Sequence, residues 1–150
     1  MIKTLKVGVA ILLITFLSAC THFFSSPYPP GPSKNSMIID IKNNTNFDVY
    51  GLELFLTNQS PIAASQTSVN GDGSKIKKGE SLRFEFFDDD FVLDRNAEMK
   101  VEVLVGKPKG SNTNKKAINQ KLTFELDKNK EVFFEITGDS IEKAEIKRLK

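Results

Sequence analysis

The sequence predicts an all-β fold: an antiparallel β-sandwich of about seven or eight strands, immunoglobulin-like or transthyretin-like in topology. Three observations carry this. From Met37 onward apolar residues recur with a period of two, the mark of strands with one face buried. The runs are separated by short clusters of Asn, Asp, Gly and Lys, which are turn formers. No long segment sustains the 3.6-residue period of an amphipathic helix. A small barrel is the alternative closure of the same strands.

In chain order, Met37, Ile39 and Ile41 share a face, and Asn43-Asn44-Thr45-Asn46 ends the run. Leu52, Leu54 and Leu56 alternate with Glu53 and Phe55, and a loop follows at Asn58 to Pro61. Ala63 to Val69 forms a weak strand with few large apolar side chains. Asn70-Gly71-Asp72-Gly73 has the residues of a hairpin turn, because Asn-Gly and Asp-Gly tolerate positive φ. Leu82, Phe84 and Phe86 form the next apolar face, then Met99, Val101, Val103 and Val105. Gly106 to Lys116 is a polar loop, and Ile118, Leu122, Phe124 and Leu126 are expected in one strand. Asp127-Lys128-Asn129-Lys130 suits a tight hairpin leading into Val132, Phe134 and Ile136. Ile141 to Leu149 fits either a strand or a helix, and its all-β surroundings favour the strand. With no tryptophan and a single cysteine, an antibody-type core around a pinned disulfide is excluded.

The N-terminus has a different character. Lys3 and Lys6 precede the apolar run Val7 to Phe16, which leads into Leu17-Ser18-Ala19-Cys20. A basic start, a short apolar stretch and small residues before a cut form a secretory signal pattern. The stretch is shorter than the roughly 20 residues a transmembrane helix needs. Leu17-Ser18-Ala19-Cys20 resembles the lipobox of bacterial lipoproteins, with Leu at −3, small residues at −2 and −1, and Cys at +1. The resemblance covers the first twenty residues and implies that residues 1–19 are a lipoprotein signal peptide. It also implies that Cys20 becomes the first mature residue and carries diacylglycerol and palmitate-type chains. Two such chains hold a protein firmly on a membrane. The implied address is the extracytoplasmic face of a bacterial membrane: the plasma membrane of a cell with one membrane, the outer membrane of a cell with two, since Thr21 is not the Asp that retains such proteins on the inner membrane.

Lipidation of Cys20 leaves no thiol for a disulfide, a nucleophile or a metal site. Residues 20–36 are rich in Pro and Ser and read as a spacer between lipid and domain, extended at roughly 3 Å per residue. Residues 37–150 are the sandwich domain, about one domain's length. Lys3 and Lys6 leave with the leader, so 19 of the 21 basic side chains face 19 acidic ones. A near-neutral domain argues against a strongly basic nucleic-acid binder, and no nucleic-acid partner is expected.

The richest cluster of potential ligands is Asp88, Asp89, Asp90 and Asp94, with Glu98 close by. Oxygen ligands gathered in a loop suit Ca²⁺, but the spacing departs from the EF-hand, and a solvated acidic loop is the simpler reading. Lys107, Lys109, Lys115 and Lys116 make the loop after Val105 basic, a surface for anionic lipid, wall polymer or an acidic protein. No Gly-x-Ser-x-Gly, His-Glu-x-x-His or phosphate loop is present, and the sole histidine, His22, lies in the spacer. The expectation is a non-enzymatic protein-binding or envelope-assembly module without a cofactor, anchored to the membrane by lipid. Calcium or small-ligand binding through residues 88–98 is the alternative.

Overall fold

Alternation sorts each strand into an inner and an outer row, and burying the inner rows against each other produces two stacked sheets. The computed structural model describes residues 30–58, 63–107 and 114–149, of which 31–149 belong to the unit Gly31–Lys150. Residues 1–29, with the expected signal peptide, Cys20, His22 and most of the expected spacer, lie outside the described residues, as do 59–62, 108–113 and 150.

Nine strands are described: β1 (Ser36–Thr45), β2 (Gly51–Thr57), β3 (Ala63–Val69), β4 (Ser81–Phe87), β5 (Asn96–Leu104), β6 (Lys115–Ala117), β7 (Leu122–Glu125), β8 (Glu131–Gly138) and β9 (Glu145–Arg148). One sheet has the order β4-β1-β8-β9. The other runs β3-β2-β5, and β6 and β7 share the far side of β5. The fold is an all-β sandwich, as expected. One pairing departs from the antiparallel rule: β1 and β8 run parallel, with Ile38 opposite Glu131 and Thr45 opposite Gly138.

The core follows the alternation closely. Met37, Ile39 and Ile41 of β1, Leu82, Phe84 and Phe86 of β4, and Val132, Phe134 and Ile136 of β8 face Leu52, Leu54 and Leu56 of β2 and Met99, Val101 and Val103 of β5. Phe124 meets Phe134 edge-on, with ring centroids 5.3 Å apart, a favoured geometry for aromatic pairs.

Two turns have the expected chemistry but not the expected role. The Asn70–Gly73 turn closes with Gly73 N–H donating to Asn70 O at 2.9 Å, Gly73 at φ 67° and Ser74 N–H on Asp72 Oδ1. It does not make a hairpin, because β3 belongs to one sheet and β4 to the other. The Asp127–Lys130 turn likewise carries the chain from β7 across to β8. Turn chemistry is local, whereas the choice of sheet depends on which distant strand is available for pairing. The expected strand 118–126 is divided: Ile118 to Lys121 interrupts it between β6 and β7. The 141–149 segment is split as well, with a single 3-10 turn at Ile141–Lys143 before β9.

Candidate functional site

Asp88 sits where β4 ends. Its Oδ1 accepts Leu93 N–H at 3.0 Å, and its Oδ2 lies 2.8 Å from Lys128 Nζ. The same ammonium lies 3.3 Å from Asp94 Oδ2. Hydrogen bonding to Lys128, and then to the Leu93 amide, holds the Asp88 carboxyl below the usual aspartate range. The Lys128 ammonium is pushed up by Asp88 first and Asp94 second. Asp89 and Asp90 are exposed. The four aspartates considered for calcium are therefore not gathered on one point, and two of them share a lysine cation. Among the described residues, no three His, Cys, Asp or Glu side chains gather as a metal set.

The loop has an anchor that the sequence reading missed. Phe91 and Leu93 are buried in the core, flanking exposed Val92. An apolar pair spaced by two within an aspartate-rich run was the available signal. The Asp127–Lys130 turn also binds the start of β1: Asn129 N–H donates to Ser36 O at 2.7 Å, and Asn35 N–H to Asn129 Oδ1 at 3.1 Å. Ser33 N–H and the Ser36 hydroxyl both donate to Glu85 Oε1, lowering that carboxyl, with Ser36 the larger cause. The fold thus engages residues from Ser33 onward, inside the stretch read as spacer.

At the end of β1, Asn43, Thr45, Asn46, Phe47 and Lys75 to Lys78 line a cleft of about 380 Å³ with Asp48. Its floor is polar and bonded. Asn43 Nδ2 donates to Ile76 O at 2.8 Å, and Asn43 Oδ1 accepts Thr45 N–H at 3.1 Å. The Thr45 hydroxyl lies 2.8 Å from Asn43 Oδ1 and 3.0 Å from Phe47 O, and gives its one proton to either. Lys75 pairs with Asp48 at 2.6 Å, Lys78 binds Asn46 Oδ1, and Asn46 Nδ2 donates to Asp139 Oδ1. Glu80 accepts Lys77 N–H at 2.7 Å. This is a hydrogen-bonded polar seam at the end of β1.

The basic loop is partly described. Lys115 and Lys116 belong to β6, where Lys115 pairs with Glu53 and Lys116 lies 3.3 Å from Glu142 Oε1. Lys109 lies outside the described residues.

The strand edges differ from one another. β4 carries Arg83 and Glu85, β9 carries Glu145, Lys147 and Arg148, β6 carries two lysines, and β7 ends on Glu125. β3, with the sequence AASQTSV, has no charge, Pro or Gly over seven residues, and among the described strands it pairs only with β2. Natural edge strands are guarded by brevity, charge or proline; β3 has none of these. Its centre is fixed to the opposite sheet by Gln66 Nε2, which donates to Glu85 O at 2.6 Å.

No family model matches this chain, and no curated protein matches it. Among solved structures it is similar to the human-specific toxin intermedilysin at 15% identity, over 77% of this chain and 24% of that one, with a TM-score of 0.39. Pneumolysin is similar over the same shares at 8% identity and a TM-score of 0.39. Listeriolysin O shares 10% identity over 77% of this chain and 22% of its own, with a TM-score of 0.37. The chain spans less than a quarter of the length of these toxins. What those toxins do is a property of those proteins.

Proposed function

We propose that this chain is a bacterial lipoprotein, anchored through Cys20 to the extracytoplasmic face of a membrane, whose sandwich is a non-enzymatic protein-binding or envelope-assembly module. The observation that carries the reading is Leu17-Ser18-Ala19-Cys20 behind Lys3, Lys6 and a short apolar run. The uncharged β3 edge, which among the described strands pairs only with β2, supports the binding role, since a strand edge accepts an extended segment through main-chain hydrogen bonds. The test has two arms. Cys20→Ser abolishes incorporation of labelled palmitate and releases the protein from lipid modification; unchanged labelling overturns the anchor. A protein captured from membranes by the wild-type chain is lost with Thr67→Lys on β3; capture that ignores this variant overturns the binding role of the edge.

A further inference from the structure

We propose that Gln66 and Gln120 are edge caps. Each is a side-chain amide from one sheet that occupies an outward backbone group on an edge strand of the other. Together they exclude an added strand from both edges of the β4-β1-β8-β9 sheet. Neither cap depends on the lipid anchor or on a partner for β3.

The backbone sets the need. In an antiparallel pair, the groups of successive residues point alternately toward the partner strand and away from it. Ile38 lies opposite Glu85, and its N–H donates to Lys130 O on the β8 side. Ile38 and Glu85 are therefore a non-hydrogen-bonded pair, and the backbone groups of Glu85 point away from β1. On β9, Leu149 N–H donates to Phe133 O. Counted back along the register, Ile136 and Ile146 are also a non-hydrogen-bonded pair, and Ile146 N–H points away from β8.

The caps meet this need with opposite ends of the same group. Gln66 Nε2 donates to Glu85 O at 2.6 Å. Gln120 Oε1 accepts Ile146 N–H at 3.0 Å. A carbonyl only accepts and an N–H only donates, so the backbone partner fixes the orientation of each amide. Both bonds are part-buried, where a lost partner costs more than at an open surface. The chain has three glutamines, and both that are described act in this way.

Two features of the chain then have a reason. Gln66 shares its row of β3 with Ala64 and Ser68, where the longer strands carry Leu, Phe or Val. A polar residue at the centre of that row is accounted for by its bond across to β4. Gln120 lies in the break between β6 and β7, beside buried Ile118. The break takes it out of the ladder with β5 and lets it reach β9.

The caps add to the protection given by charge and shortness. β4 carries Arg83 and Glu85, and β9 is four residues long. At the end of β4, Phe87 O already accepts from Asp90 and Phe91 N–H. A strand adding to either edge must displace the glutamine, because its ladder needs the group that the glutamine holds.

The test uses the full chain in detergent. Hydrogen exchange at the Ile146 amide is expected to quicken about tenfold in Gln120→Met and to stay near wild type in Gln120→Glu, whose carboxylate still accepts. At residue 66 the order reverses, because Glu85 O needs a donor: Gln66→Glu is expected to melt at a lower temperature than Gln66→Met. The double variant Gln66→Met/Gln120→Met is expected to keep its far-UV circular dichroism. In sedimentation equilibrium it is expected to self-associate at about tenfold lower concentration than wild type. A double variant that stays folded and sediments as wild type does overturns the guarding role. If the double variant unfolds, the single variants decide. Equal exchange at Ile146 in Gln120→Met and Gln120→Glu, or equal melting of the two Gln66 variants, overturns the caps.

Discussion

Lys128 Nζ lies 2.8 Å from Asp88 Oδ2, joining the turn between β7 and β8 to the loop between β4 and β5. Both segments cross from one sheet to the other, so the pair fastens two crossovers at the same end of the sandwich. Asn129 binds the start of β1 from the same turn. An acidic cluster that reads in the sequence as a solvated loop, with a cation site as the alternative, thus holds two of its aspartates on the chain's own Lys128 cation, as a latch.

The latch has a defined pH window. The folded Asp88 carboxyl is held below its unfolded value, about 3.9, by Lys128 first and the Leu93 amide second. Its contribution is therefore complete above the unfolded value and is lost as pH falls through the folded one. Lys128 is raised, so its contribution is complete below its ordinary value and is lost as pH rises through the folded one. Glu85 and Glu135 are also lowered and add to the acid-side slope. The quantity to measure is the difference in melting temperature between wild type and Lys128→Met across pH. It is expected to be widest at neutral pH and to shrink at both extremes. A difference that is flat with pH contradicts the latch.

Phe134 is fully buried and meets Phe124 edge-on. Phe134→Ala removes a ring from the contact between the sheets and is expected to cost about 3–5 kcal/mol. Phe134→Leu refills part of the space and is expected to cost about 1–2 kcal/mol, losing the ring pair and some volume. Urea denaturation reads both as shifts in midpoint at constant slope. Equal costs for the two variants would mean that the ring pair, and not the filled volume, dominates at this position.

How much of this was legible in the sequence depended on range. The period-two rows gave the inner faces of β1, β2, β4, β5 and β8 correctly, because burial acts on each residue through its own strand. The turns at Asn70–Gly73 and Asp127–Lys130 were recognisable, but their destinations were not: the pairing of β1 with β8 joins residues over ninety positions apart. The loop from Asp88 to Asp94 read as solvated, with a calcium set as the alternative, and its pairing was not legible because the counter-charge, Lys128, lies in a distant turn. β3 was legible as a strand, but that it forms an edge depended on the strand order of the whole sheet.

The polar seam at the end of β1 makes a separate prediction. Asn43 is buried, donating to Ile76 O and accepting from Thr45 N–H. Asn43→Ala orphans both backbone groups and is expected to cost about 1–3 kcal/mol for each one left dry. Asn43→Asp keeps the shape but sets a carboxylate against the Ile76 carbonyl. That variant is expected to be less stable than wild type at neutral pH and to recover part of the loss as the carboxyl protonates. A loss that does not depend on pH would show that residue 43 acts through packing alone.

Gly51 of β2 lies opposite Val69 at the end of β3, where there is no room for a side chain. A Cβ there would lie 2.5 Å from Val69 Cγ1 and 2.7 Å from Ser68 O. Gly51→Ala is therefore expected to push the end of β3 away from β2 and to cost about 1–3 kcal/mol, as overpacking does. The loss should be local, with faster amide hydrogen exchange in β3 and unchanged protection in β1 and β8. The two clashes are separable. Val69 is half-exposed, and its side chain can be cut back, but the Ser68 carbonyl is backbone and cannot. Val69→Ala added to Gly51→Ala should accordingly restore only part of the stability, with a coupling energy measurable by a double-mutant cycle. Full restoration would put the whole strain on the Val69 side chain and leave the path of the β3 backbone independent of Gly51.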